Sequence, residues 1–261
     1  MIMTTKSAIT CAATALLLLP SCSVKEDRQP CPCWLTVVLD DASRTAPDAK
    51  VLLMSGNERL ISESVSPEEE YERTVPRGYV RTVVCTGADL SVMSTGTVAF
   101  RHGEQIDTIW SHTAVVDCRN EFARDTAALH RQFAVARLVL KAAPEEDDGR
   151  LYSVETSCGG LDMQSSSPTK GGWGMRLVMD GTSGCVFSVP RMRPEDRFAI
   201  RISNPDGGDD EVDIQAMLRD IGYSWSKRDL DDMVIALDYA RGTVDITVLP
   251  WEDGGRIEET I

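Results

Sequence analysis

Short segments in which apolar and polar residues alternate recur along most of the chain, and this pattern predicts β-strands. The alternation is strictest at residues 197–203, where Phe198, Ile200 and Ile202 are predicted to face a core and the residues between them to face water. Further strands are predicted at residues 34–39, 51–54, 59–61, 79–85, 97–100, 114–118, 133–140, 151–156, 175–179, 233–238 and 244–248. Many short strands at a spacing of about ten residues, with little helix, are typical of β-sandwiches.

About a dozen strands are more than one small sandwich contains, so the pattern predicts two sandwich domains in series. The first domain is expected to span residues 22–130 and the second residues 131–261, with the second opening on the strand at 133. No low-complexity linker separates them, which favours close packing of the two domains. One amphipathic helix is predicted at residues 212–221, with Ile214, Leu218 and Ile221 on its buried face.

The N-terminus has the pattern of a lipoprotein signal peptide. The small and apolar run at residues 8–19 is too short for a helix that spans a membrane, which needs about 20 residues. The run ends with an apolar residue, then Ser21 just before the cleavage point, then Cys22. This pattern predicts that residues 1–21 are removed and that Cys22 is acylated. An ordinary secretory signal with a chance cysteine is the alternative. Acyl chains on Cys22 would attach the protein firmly to outer-membrane lipid.

Charge narrows the possible partners. The net charge is −14, and since residues 1–21 hold only Lys6, a chain that begins at Cys22 carries −15. This argues against nucleic-acid binding, which depends on clustered Lys and Arg. Lys25, Glu26 and Asp27 directly after the lipid site resemble the surface-export tag of Bacteroidales-type lipoproteins; a plain solvated tether is the alternative.

Six cysteines remain once Cys11 leaves with the signal peptide and Cys22 is acylated. In an exported chain they are expected to form disulfides. The domain boundary divides them four and two, which predicts a Cys158–Cys185 bond in the second domain and pairing within the first domain. Metal and redox roles are disfavoured, because the first pair is spaced C-x-C rather than C-x-x-C. The disulfide candidates are Cys31, Cys33, Cys85, Cys118, Cys158 and Cys185.

No catalytic constellation is evident, so the chain is predicted to be a non-enzyme without a cofactor. The three histidines, His102, His112 and His130, are far apart and lack metal-type spacing. The acidic segment 204–211 could bind calcium, but it lacks the EF-hand spacing and is predicted to be a solvated loop. Five tryptophans could form a sugar-binding platform, although packing is the more common role of such residues.

Several segments, taken in order, resemble the FimB-type anchor subunits of Bacteroidales (type V) fimbriae. Each motif is weak alone, and their order and spacing carry the resemblance, which covers nearly the whole mature chain. The segments are residues 26–28, 31–35, 116–121, 129–134, 189–192, 221–225, 229–232 and 248–251.

The resemblance implies an all-β protein of two transthyretin-like β-sandwich domains in tandem, attached to the outer-membrane surface at the base of a fimbrium. It implies that the first strand, at about residues 34–40, is retained, and that fimbrial stalk subunits bind by β-strand complementation. Residues 244–251 with the short, charged tail 252–261 are the donor candidate. A surface lipoprotein that binds carbohydrate or a host ligand is the alternative function, and an exported hydrolase is a weaker one.

Overall fold

A computed structural model of the 261-residue chain describes residues 31–39, 49–66, 70–87, 96–142, 149–180 and 184–251. Seventeen strands and one helix account for most of these residues. The elements are β1 (Cys33–Val38), β2 (Ala49–Ser55), β3 (Glu58–Val65), β4 (Tyr71–Val75), β5 (Tyr79–Thr86), β6 (Thr97–Ala99), β7 (Trp110–Asp117), β8 (Phe122–Thr126), β9 (His130–Arg131), β10 (Phe133–Lys141), β11 (Leu151–Asp162), β12 (Ser167–Leu177), β13 (Gly184–Pro190), β14 (Phe198–Ser203), β15 (Asp209–Asp213), α1 (Ile214–Asp220), β16 (Asp232–Asp238) and β17 (Thr243–Leu249). The predicted all-β fold class is confirmed.

The first half of the chain forms two facing sheets. One has the order β4-β1-β8 and the other β3-β2-β5-β7-β9. Alternate side chains of β1, such as Leu35 and Val37, pack against Val51, Leu53 and Val84 of the opposite sheet in one core. The predicted strands at 51–54 and 59–61 lie in β2 and β3, which form a hairpin, and its tight turn uses Gly56, whose φ of 58° is costly for residues with a Cβ.

The second half repeats this plan with longer strands. Its two sheets have the orders β13-β10-β16-β17 and β12-β11-β14-β15. Leu138 and Phe187 from one sheet pack with Val154, Phe198 and Ile200 from the other. The predicted inward positions of β14 are confirmed for Phe198 and Ile200, both fully buried.

Each half places its first strand between one antiparallel and one parallel neighbour. In the first half, β1 lies between antiparallel β4 and parallel β8. In the second half, β10 lies between antiparallel β13 and parallel β16. A tight hairpin cannot join parallel neighbours. Each parallel pair therefore brings together strands that are far apart in the sequence.

The two halves share structure at their boundary. Strand β6, although it precedes β7 in the chain, pairs with β11 of the second half. A separate core cluster joins Leu52 and Met54 of β2 to Leu161 and Met163 near the end of β11. The predicted boundary after residue 130 falls within β9, which pairs with β7. The halves are therefore packed closely through apolar side chains.

Two local predictions are corrected. The helix is shorter than predicted, and Ile221 is 52% exposed because it is the C-cap residue, beyond the face that buries Ile214 and Leu218. Part of the predicted acidic loop is strand β15, whose register with β14 brings Asp209 and Glu211 to basic side chains.

Several predicted features lie outside the described residues. These are the signal peptide 1–21 with its cleavage site Ser21/Cys22, the lipid site Cys22, the export tag Lys25, Glu26 and Asp27, and the tail 252–261. Among the described residues, no helical segment has the length and apolar character needed to span a bilayer.

Candidate functional site

Strand β1, the first strand among the described residues, is the central strand of its sheet. It pairs along its length with β4 on one side and β8 on the other. The side chains of Cys33, Leu35 and Val37 point into the core and are at most 1% exposed. Removal of β1 would therefore open a hydrophobic groove and expose the hydrogen-bonding groups of two strands at once.

Two cysteine thiols meet at the beginning of β1. Cys33 and Cys118, which follows β7, are both fully buried. Burial and the neighbouring Cys33 thiol together raise the pKa of Cys118 to about 12. Since β1 and β7 belong to opposite sheets, this contact joins the two layers of the first sandwich.

The other cysteines do not pair in the described residues. Cys31 is exposed, whereas burial raises the pKa of the Cys85 thiol to about 12. The predicted Cys158–Cys185 bond is not present, and the structure separates the two residues. The thiol of Cys158 donates to the carbonyl of Arg191 at 3.5 Å, and Arg191 is six residues beyond Cys185 along the β13 direction. Six extended residues span about 20 Å, far more than a disulfide can bridge.

Polar side chains bridge the two layers of the first sandwich. Asp125 on β8 points inward and accepts hydrogen bonds from Thr82 and, at 3.2 Å, from His112 of the opposite sheet. Burial raises the pKa of Asp125, but the hydrogen bonds from His112 and Thr82 outweigh it and hold the pKa below its ordinary value. The carboxylate is therefore an ionised, fully used part of the core.

A buried ion pair ties the two halves together. Arg131 on β9 is 1% exposed, and its guanidinium donates to Asp232 at the start of β16 at 2.7 Å. The same guanidinium lies 4.0 Å from the ring centroid of Trp251 and 4.5 Å from that of Phe133. Because Asp232 also accepts from the backbone N–H of Val135, one carboxylate positions β9, β10 and β16.

Arg191, just after β13, is a second buried cation at this boundary. Its five guanidinium hydrogen bonds all go to carbonyl oxygens, and none goes to a carboxylate. The acceptors include the Gln132 side chain and the backbone of residues 225, 227 and 228. Burial lowers the pKa of Arg191, although Asp229 lies near enough to oppose this effect. Arg191 thus fixes the 225–228 segment against the strand that crosses between the halves.

A cavity of about 600 Å³ opens between these elements. Its wall combines β7 and β9 of the first half with residues 191–194 and 223–228 of the second. The lining includes four cations but no aspartate or glutamate, in a chain whose net charge is −14. The cations are Arg191, Arg193, Lys227 and Arg228.

Partners reduce the effective charge of some of these cations. Arg193 is paired with Asp196 at 2.8 Å, and Lys227 is paired with Asp231. Arg228 is exposed and has no carboxylate partner among the described residues. Arg228 and Arg191, which donates to carbonyls and has Asp229 nearby, are the two lining cations without an ion pair among the described residues.

Two polar atoms at the floor of the cavity lack hydrogen bonds. The hydroxyl of Ser111 and the Nε2 atom of His130 are buried without a partner in the described structure. Asp229 holds the other ring nitrogen of His130 at 3.0 Å. Although Ser111 and His130 are cross-strand neighbours, no hydrogen bond joins them, so the arrangement that activates a serine nucleophile is not assembled.

The remaining candidate sites have structural roles. Trp173 and Trp225 are buried in the core and Trp34 is exposed on β1, so the tryptophans share no single platform. Glu211 in the acidic segment pairs with Arg197 at 2.7 Å. Within the described ranges, no group of three His, Cys, Asp or Glu side chains is placed to hold a metal ion.

The sheets end in edge strands that differ in charge. Strand β15 carries four acidic residues, and β4 carries Glu72 and Arg73. Charged edge strands resist unwanted pairing with other chains. The two edges of the four-stranded sheet are less protected: β13 has no charged residue, and β17 has only Asp245.

Comparison with known proteins identifies the fold. No family model matches the sequence, and no curated protein matches it. Solved structures do match. A candidate polysaccharide-binding protein from Bacteroides thetaiotaomicron has a TM-score of 0.64 at 14% identity, covering 87% of this chain and 99% of that one. The fimbrial anchor protein Mfa2 from Porphyromonas gingivalis has a TM-score of 0.60 at 12% identity, covering 85% and 98%. A candidate adhesin from Bacteroides ovatus has a TM-score of 0.57 at 12% identity, covering 85% and 94%.

At these identities the likeness establishes the fold, and the predicted resemblance to fimbrial anchor proteins is confirmed at that level. The cavity is a feature that the sequence does not predict. Its walls come from Ser111, His130, Arg191 and Arg228, which lie up to 117 residues apart and meet only in the folded chain. Residues 221–228 carry Lys227 and Arg228 and no acidic residue, but Asp220 and Asp229 flank them, so the local sequence contains no clear signal of the cavity.

Proposed function

We propose that this protein is a surface lipoprotein that anchors a fimbrium to the outer membrane and keeps its own first strand. The central position of β1, between β4 and β8 with its alternate side chains buried, is the observation that carries this proposal. A subunit whose groove is already filled by its own strand cannot accept a donor strand there, so it ends the polymer at that side.

The lipid on Cys22 would convert this end into an attachment point. Only eight residues separate Cys22 from Cys31, the first described residue. Their maximum extended reach is about 30 Å, so the first sandwich would stay close to the bilayer. Likeness of fold to the anchor protein Mfa2 supports the same role.

The experiment replaces Cys22 with alanine in the native host and follows the fimbriae. We expect the variant to leave the membrane fraction and the fimbriae to be shed into the medium. Cys31→Ala is the matched control, because Cys31 is exposed and nearby in sequence but outside the lipid site. Fimbriae that stay on the cell at unchanged length, while the variant protein is lost from the membrane, would contradict the anchor role.

A stalk subunit would bind at the outer edge of β17. This strand pairs with β16 on one side only, and Val244 and Ile246 pack against the core of the second half. An added strand would gain main-chain hydrogen bonds along that edge, with little charge to oppose it.

Cysteine cross-linking locates this contact. Thr247→Cys, at an exposed position of β17, is expected to form a disulfide-linked complex with the stalk subunit. Arg176→Cys, on the exposed face of β12 in the other sheet, is the control and should not. Cross-linking through Val186→Cys on β13 instead would overturn the assignment to β17 while leaving the anchor role intact.

A further inference from the structure

We propose that the cavity between the two halves binds an acidic saccharide, a sugar that carries a carboxylate. This inference does not depend on the anchor role, because it concerns a different surface from β1 and β17. A cavity of about 600 Å³ is within the usual size of small-molecule sites, about 300–1,000 Å³.

The charge of the lining favours an anion. The chain as a whole repels anions, yet this cavity has four cationic side chains and no carboxylate on its wall. Arg228 is exposed and has no carboxylate partner in the described part of the chain. The buried guanidinium of Arg191 donates its hydrogen bonds to carbonyl oxygens and has Asp229 nearby without a hydrogen bond between them, so an anion in the cavity would still gain from its field.

The neutral groups of the lining favour a sugar over a simple inorganic anion. Five serine and threonine residues line the cavity beside the cations, and hydroxyls can bond to the hydroxyls of a sugar ring. They come from both halves of the molecule and are Ser111, Thr113, Ser166, Ser224 and Ser226. The Thr113 hydroxyl already donates to the carbonyl of Met163, and the hydroxyls of Ser224 and Ser226 bond each other, so these three keep mainly their accepting capacity.

The floor of the cavity has unused hydrogen-bonding capacity. Buried polar atoms almost always have partners, so the unpartnered Ser111 Oγ and His130 Nε2 atoms require an explanation. The Ser111 hydroxyl can change position by rotation about the Cα–Cβ bond. The His130 ring is held in one orientation because Asp229 bonds its other nitrogen. Both atoms expose less than 1 Å² to solvent, so a ligand would reach the Ser111 hydroxyl only through that rotation and would not reach His130 Nε2 in the observed arrangement.

The experiment is calorimetric titration of the full chain in detergent with three probes. The probes are a disaccharide containing glucuronate, the same disaccharide with glucose in its place, and sodium sulfate. We expect the acidic disaccharide to bind at least about tenfold more tightly than either of the others. Equal binding of the neutral disaccharide, or no binding of the acidic one, would overturn the proposal. Equal binding of sulfate would identify an anion site without sugar selectivity and would also overturn it.

Two variants locate the binding. Arg228→Gln should weaken binding of the acidic disaccharide about tenfold and reduce its salt dependence. Ser111→Ala should weaken binding without lowering the thermal midpoint, because the hydroxyl has no partner in the fold. Arg176→Gln, which removes the same charge from an exposed position on β12 outside the cavity, is the control and should bind as the unchanged chain does. Binding unaffected by both Arg228→Gln and Ser111→Ala would show that the ligand lies elsewhere.

Discussion

The buried thiol of Cys33, the first residue of β1, faces that of Cys118, the residue after β7, across the two layers of the first sandwich. The sequence predicted that Cys33 would pair within the first domain but left its partner open. The structure places Cys118 beside it. A bond between them would fasten β1 to the opposite sheet.

We predict that mild oxidation forms a Cys33–Cys118 disulfide and stabilises the protein. The closed loop of 85 residues would raise the free energy of unfolding by about 4–5 kcal/mol in the chain-entropy account. Non-reducing peptide mapping identifies the bond, and urea denaturation with and without reductant measures its effect. Cys31→Ser is the control and should change neither result. A bond that instead joins Cys31 or Cys85 would contradict the prediction.

Alanine substitutions on the inward face of β1 should lower the free energy of unfolding far more than substitutions on its outward face. Leu35→Ala removes a side chain that is 1% exposed, and we expect it to lower the free energy of unfolding by about 2–5 kcal/mol. Thr36→Ala, one residue along and on the outer face, should cost less than about 0.5 kcal/mol. Chemical denaturation of both variants measures this difference, and similar losses for the two would show that β1 is not seated in the core.

The buried Arg131–Asp232 pair should be essential to stability. Arg131→Met leaves the Asp232 carboxylate uncompensated in the boundary between the halves, which we expect to cost about 3–5 kcal/mol. The Arg241–Asp238 pair near the other end of β16 is the control, since Arg241 is 78% exposed. Arg241→Met should cost less than about 1 kcal/mol. Differential scanning calorimetry would disprove the prediction if both variants unfolded at the same temperature.

Acid should remove the contribution of Asp125 to the stability of the folded protein. Its pKa is held below the ordinary value of 3.8, so the folded state binds the proton less readily than the unfolded chain. The resulting stability is present above that ordinary value and is lost as the pH falls below it. We therefore expect the stability advantage over Asp125→Asn to be constant above about pH 5 and to shrink as the pH falls from about 5 to about 3. Denaturant midpoints across this range measure it, and a constant difference would count against an ionised bridge to His112 and Thr82.

Apolar periodicity predicted most strands that build the cores and missed several strands at the sheet edges, such as β8 and β15. Phe198 and Ile200 alternate with polar residues in sequence and are buried in the structure. Strand β15 has no such signal, because ion pairs such as Asp209–Arg201 hold it to its neighbour. Strand β8 was missed for a similar reason: its inward face is a small alanine and the polar Asp125.

Features that depend on distant residues were beyond sequence analysis. The parallel pairing of β1 with β8 joins residues about 88 positions apart, and no local pattern encodes it. The predicted Cys158–Cys185 bond is absent. It was inferred from the number of cysteines in each domain, and that number does not show where the cysteines lie along the strands. The cavity is likewise a product of tertiary structure, since the cation-rich segment at its rim has no recognisable motif.

Whether β1 stays joined to a lipid-bearing Cys22 in the assembled fimbrium is the central question. The sequence has an arginine, Arg44, between β1 and β2, where cleavage would release the strand. Mass spectrometry of the protein from cell-attached fimbriae measures its N-terminus directly. We predict an acylated Cys22 peptide on a chain that still contains β1. An N-terminus at Thr45, with β1 missing, would contradict the account.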